Sequence, residues 1–162
     1  MHINVLSNGM LQIDGAKLIY RNFSGVGSKF NREGDRNFSI LIEDVETAEM
    51  LIEMGYNVKT KPPREEGDTP FMHLPVKIKF PPKNDESARG RGPKAYLYAG
   101  GERPLELDED TIGCLDNVDI LAVELDVRPY DWEVNGKQGR TAYLQGIHVT
   151  QQVDRFAARY ED

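Results

Sequence analysis

The alternation of apolar and polar residues is strictest from Phe71 to Phe80, where Met72, Leu74, Val76, Ile78 and Phe80 share one parity and Phe71, His73, Lys77 and Lys79 the other. A period of two predicts a half-buried β-strand, with the first set facing a core. Pro75 interrupts that strand and points to an edge position or a bulge. The same period marks Lys94 to Ala99, with Ala95 and Leu97 inward and Lys94, Tyr96 and Tyr98 outward. It recurs from Asp119 to Tyr130, where Leu121, Val123, Leu125 and Val127 form the core parity and Glu124, Asp126 and Arg128 the opposite one.

Shorter strands are expected at Ile3–Leu6, Met10–Ile13, Ala16–Phe23, Asn37–Ile42 and Tyr56–Lys61. Trp132–Val134 and Arg140–Val149 flank Asn135-Gly136, the strongest short-range hairpin signal in the chain. Helical spacing appears twice. Val45, Ala48, Leu51 and Ile52 define a packing helix capped by Asp44 and stopped by Gly55, and Val153, Phe156, Ala157 and Tyr160 define a closing one. A short capped helix from Asp108 to Leu115 places Ile112 and Leu115 inward. These elements predict a mainly β fold, a small antiparallel Greek-key barrel of OB-fold type with one mid-chain and one C-terminal helix. All 162 residues fit a single domain, with a mobile loop at 81–93 where periodicity fails.

Composition narrows the chemistry. Cys114 is the only cysteine and His2, His73 and His148 are scattered, so no metal site or cofactor is expected. Cys114 lies among acids that discourage a thiolate. Asp108, Asp110, Asp116 and Asp119 match no calcium-loop spacing and read as a helix cap and a solvated rim, so an enzyme is not expected. No run approaches the 18 apolar residues of a membrane span, and the start of the chain lacks the pattern of a signal peptide, so a cytoplasmic location is the default. The net charge of −7 argues against nucleic acid until its distribution is considered. Residues 1–94 carry 14 bases and 13 acids, whereas residues 95–162 carry 6 bases and 14 acids. A basic surface on an acidic body is compatible with that asymmetry.

The stretch Arg21–Ile42, RNFSGVGSKFNREGDRNFSILI, sets glycines and bases between two copies of Arg-Asn-Phe. It lacks the Gly-Lys-Ser/Thr ending of a phosphate loop and leads into a strand instead of a helix, so the plain expectation is a flexible hairpin excursion. A polymer-binding surface is the richer alternative, because stacking on aromatic rings tolerates any base while Lys and Arg follow the phosphates. The candidate residues are Arg21, Phe23, Lys29, Phe30, Arg32, Arg36 and Phe38 in this stretch and Lys77 and Lys79 on the alternating strand. Arg89 and Arg91 in the 81–93 loop, Lys94, Tyr96 and Tyr98, and Trp132 complete the set.

Together with HLPVKIKF, AYLY, VRPYDWEVNGKQGRTAYL and DRFAARY, this stretch resembles a group of phage- or prophage-encoded single-stranded DNA-binding proteins of OB-fold type. The resemblance implies non-catalytic, largely sequence-independent binding of single-stranded DNA during phage replication or recombination, in the host cytoplasm. It allows self-association and contact with replication or recombination proteins. Many such proteins end in a long acidic tail, but here only Glu161 and Asp162 follow the closing helix, so recruitment through a tail is not expected. A structural or protein-interaction module of a phage assembly is the alternative reading.

Overall fold

The structure is a computed structural model that describes residues 1–88, 91–100 and 103–153. Its strands are β1 (His2–Val5), β2 (Leu11–Asp14), β3 (Leu18–Asn22), β4 (Arg36–Ile42), β5 (Lys59–Lys61), β6 (Phe71–Ile78), β7 (Lys94–Tyr98), β8 (Leu105–Leu107), β9 (Ile120–Val134) and β10 (Lys137–Gln151). Among the described residues one α-helix, α1 (Val45–Glu53), joins β4 to β5, and a 3-10 turn at Ile112–Asp116 leads into β9.

The mainly β expectation holds, but the small antiparallel Greek-key barrel does not. The strands run β1-β2-β9-β10-β6-β4-β3, an open path whose two ends do not pair. β10 explains the difference. It pairs antiparallel with β9 along most of its length, and on its other side runs parallel first to β6 at Ala142–Tyr143 and then to β7 at Gly146–Thr150. A register shift between Leu144 and Gly146 separates the two parallel contacts, so the sheet branches at β10. The predicted closing helix falls almost wholly on residues 154–162, outside the described residues.

Local chemistry accounts for the main elements. Asn135 and Gly136 take φ of 51° and 80°, the left-handed pair that a two-residue hairpin turn needs, and Val134 faces Lys137 directly. The turn is therefore tighter than expected, and residues 137–139 belong to the strand. In β6, Met72, Leu74, Val76 and Ile78 are buried as their parity requires. The strand is interior, with β4 along one side and, on the other, β5 at residues 71–73 and β10 at residues 76–77. Pro75 lies in the gap between those two partners, where no neighbour calls for its missing N–H.

Two apolar expectations fail for physical reasons. Leu121 is 62% exposed because the register of β9 skips it between Ile120 and Ala122. In α1, capped by Asp44 through a 2.7 Å bond from the Thr47 amide, Ala48 and Leu51 are buried, while Val45 and Ile52 face outward on a narrower stripe. One core lies behind the sheet and includes Phe23, Phe38, Leu74, Val76, Val127 and Leu144.

Candidate nucleic-acid interface

The two Arg-Asn-Phe copies form a stem. Asn22 pairs with Asn37 across β3 and β4, and Phe23 and Phe38 stack in the core with centroids 5.0 Å apart and planes 12° from parallel. Both rings are at most 1% exposed, so neither offers a face to a base. Arg21 donates to the Leu115 and Val118 carbonyls at 2.8 and 2.7 Å, which ties the stem to the 3-10 turn. Arg36 donates to the Phe23 carbonyl at 2.6 Å and lies over the Phe80 ring at 5.5 Å. Phe23 and Phe38 are therefore core members of the stem, and Arg21 anchors it.

Above the stem the chain is braced. The Asp116 carboxylate accepts from the Phe23 amide (2.6 Å), the Ser24 amide (3.1 Å) and the Ser24 hydroxyl (2.7 Å). The Asn31 side-chain amide donates to the Val26, Arg32 and Asp35 carbonyls. At Gly25, φ is 73° and a Cβ would stand 3.1 Å from the Gly34 backbone, so the close approach of the two loop arms requires glycine. In place of an open excursion, this is a hydrogen-bonded loop that presents Lys29 and Phe30 at its tip. Phe30 is 93% exposed.

Beside the loop, Asn37, Lys77, Tyr143 and Arg128 form a cross-strand row over β4, β6, β10 and β9 on the outer face. Phe30, Arg36, Lys77, Lys79, Phe80 and Tyr143 line one hollow, together with Lys59 from β5 and two carboxylates, Asp35 and Glu109. Through Pro75 and Lys77 it continues into a second hollow lined by Tyr56, Trp132 and Arg140. The Arg128 guanidinium sits over Tyr143 at 4.9 Å, and Tyr130 meets Tyr143 edge-on at 5.9 Å.

The far wall is the projecting end of the β9–β10 hairpin, in which every residue from 130 to 138 is exposed. The Trp132 indole lies flat over Gly139, its cross-strand partner, where any Cβ would collide with the ring. Arg140 makes two bonds to Asp131, at 2.7 and 3.2 Å, and rests on the Tyr56 ring. That pairing holds the Asp131 carboxyl below its ordinary pKa. The salt bridges among the described residues engage only Lys17, Lys83 and Arg140. Lys29, Arg32, Lys59, Lys77, Lys79 and Arg128 thus form no salt bridge among the described residues.

Lys94, Tyr96 and Tyr98 lie elsewhere. Lys94 and Tyr96 line a different hollow, shared with Asp14, Glu124 and Asp126. Tyr96 stacks on His148 at 4.9 Å, and the Tyr98 hydroxyl is 3.1 Å from His148 Nδ1. Parity correctly places these β7 residues outward, and the sheet sets Lys94 and Tyr96 beside Asp14, Glu124 and Asp126, and Tyr98 beside His148. Arg91 is exposed ahead of β7, and Arg89 lies outside the described residues. In turn, the sequence reading missed Lys59, Phe80, Arg128 and Tyr143. The outward parity of Arg128 was visible, but the pairing that brings Tyr143 beside Lys77 was not.

Residues 3–162 match the family model described as "Putative phage ssDNA-binding domain", and the chain belongs to that family. Among solved structures, the single-stranded DNA-binding protein from bacteriophage Enc34 superposes with a TM-score of 0.56 at 14% identity, covering 99% of this chain and 90% of that one. The same phage protein in complex with ssDNA gives a TM-score of 0.53 at 13% identity, covering 95% and 93%. Its C-terminal truncation gives 0.51 at 12% identity, covering 94% and 91%. No curated protein sequence matches the chain.

Proposed function

We propose that this chain, acting as a single domain, binds single-stranded DNA without catalysis and largely without regard to base sequence. The strand lies along the outer face from the Phe30 loop past Lys77 to the hairpin arm. Lys77 and Lys79, with Lys29 and Arg32 on the loop, take phosphates, and Phe30, Tyr143 and Trp132 offer rings to bases. The observation that carries this reading is the Lys77–Lys79 pair, free of salt bridges among the described residues, set beside the rings of Phe30, Tyr143 and Trp132 along two adjoining hollows. Membership of the phage ssDNA-binding family supports it, as does the fold shared with the Enc34 phage protein solved in complex with ssDNA.

Asp14, Glu124 and Asp126 line the hollow around Tyr96 and repel the strand there, whereas in the groove Arg36, Lys59, Lys77 and Lys79 outnumber Asp35 and Glu109. Duplex DNA binds less well, since paired bases cannot reach the rings. The setting is replication or recombination of phage DNA in the host cytoplasm, where self-association and contact with replication proteins would accompany coating of the strand. A salt titration with a labelled oligothymidylate tests the reading. Affinity should fall steeply with salt, at a log–log slope of about −0.7 per phosphate contacted. Absence of binding at low salt, or equal affinity for a duplex, would overturn it.

A further inference from the structure

At the other end of β6 stands a group of residues outside the groove described above. Tyr20 has φ of 50°, a left-handed conformation that a bulky side chain rarely adopts. It occurs where the β3–β4 register shifts between Ile19 and Asn22, so the residue escapes the ladder. Its ring is turned onto the outer face of β6, meeting Phe71 at 6.4 Å and His73 at 5.4 Å, both edge-on. Tyr20 nevertheless remains 59% exposed and Phe71 37% exposed. A strained backbone that holds an aromatic ring in solvent contributes little to the core, and such strain concentrates at binding sites.

Charge accompanies the rings. Lys59 and Lys61 of β5 pair with His73 and Phe71, which puts both lysines on the same outer face. Both are exposed, and neither forms a salt bridge among the described residues. They are close enough to His73 to disfavour its protonation, in addition to the effect of burial. Lys59 also lines the groove with Lys77, so the two surfaces are continuous. From Phe71 to Lys77, β6 spans about 20 Å at about 3.3 Å per residue.

The geometry points to a second single-strand contact site, a platform of Tyr20 and Phe71 flanked by Lys59 and Lys61, which receives the nucleotides that extend beyond the groove past Lys59. This rests on the proposed binding of single-stranded DNA and assigns part of the footprint to Tyr20, Phe71 and Lys61, which do not line the groove. Its ligand is again a sugar-phosphate chain with unpaired bases, stacked on the rings and neutralised by the two lysines. The acidic hollow at Tyr96 pairs aromatic rings with carboxylates, whereas this platform pairs them with ammonium groups.

Fluorescence anisotropy with labelled oligothymidylates of graded length, from about 4 to about 16 nucleotides, tests the assignment over the range of site sizes found for such domains. The variant is Tyr20→Asn combined with Lys61→Gln, since Asn tolerates the left-handed backbone and Lys61 is exposed on a short strand. Circular dichroism melting checks that it folds. Short oligonucleotides should bind the variant as they bind the wild type, whereas the longest should bind about tenfold more weakly, with a salt slope about 0.7 shallower. Equal affinity of variant and wild type at every length, or the same loss at every length, would overturn the platform. Lack of wild-type binding at any length would instead overturn the functional reading beneath it.

Discussion

Replacing Gly139 with alanine should move the only tryptophan in the chain. A Cβ built at Gly139 would stand 2.5 Å from Trp132 Cε2 and 2.9 Å from Nε1, and closer still to the next ring carbon. Carbon atoms pack best at about 3.5–4.0 Å, so the indole must withdraw by about 1 Å or more. The hairpin arm is exposed, and the lost contact is a cross-strand pair worth about 0.2–1 kcal/mol, so the fold should survive. Binding should respond more strongly, because a base stacked on an aromatic ring contributes about 1–3 kcal/mol and the ring would leave its place in the groove. We expect a red-shifted emission maximum, weaker quenching by oligothymidylate, and an affinity about 5-fold or more below wild type. Adding Gly139→Ala to Trp132→Ala should cost nothing further, which isolates the steric effect on the indole. An unchanged emission maximum with unchanged quenching would refute the packing argument, and additive losses in the double variant would refute its connection to binding.

Lys77→Ala with Lys79→Ala should reduce the salt slope for single strands by about 1.4 while leaving the melting temperature nearly unchanged; a slope equal to wild type would remove both lysines from the phosphate path. Asp116→Ala removes the acceptor for two amides and a hydroxyl at the loop stem and should cost about 1–3 kcal/mol in urea denaturation, with an unchanged midpoint counting against the brace. His73 is buried beside Ser39, and burial, then Lys59 and Lys61, lowers its pKa from the ordinary 6.5. The folded state therefore binds fewer protons than the unfolded state just below that value, so thermal stability should decline as the pH falls through about 6.5 towards the lowered folded value. The decline should flatten in His73→Gln, and an identical pH profile in that variant would show that other groups cause it.

The parts of the fold legible in the sequence are those set by near neighbours. The alternation of β6, the Asp44 cap and the Asn135-Gly136 turn each depend on a few consecutive residues, and each appears where local chemistry puts it. The open, branched sheet depends on β10 choosing partners from β6 and β7, more than 40 residues upstream, and no local period records that choice. The candidate surface divides in the same way. Lys77 and Lys79 were legible because parity alone sends them outward. The fate of Tyr96 and Tyr98 was not, because their neighbours are Glu106, Glu124 and His148 from other strands. Phe23 and Phe38 look like base platforms in a polar loop, yet stacking against each other beneath it removes both from water.

The branched pairing of β10 also sets an order of events. All the strands it joins, β6, β7 and β9, precede it in the chain, so a ribosome delivers them before the strand that unites them. Until β10 emerges, β6 lacks the neighbour that carries Tyr143, and the hairpin that carries Trp132 has no return strand. Contacts this distant in sequence form slowly. A nascent chain therefore holds the lysines of β6 before Tyr143 stands beside them, and the proposed groove is complete only once β10 has paired.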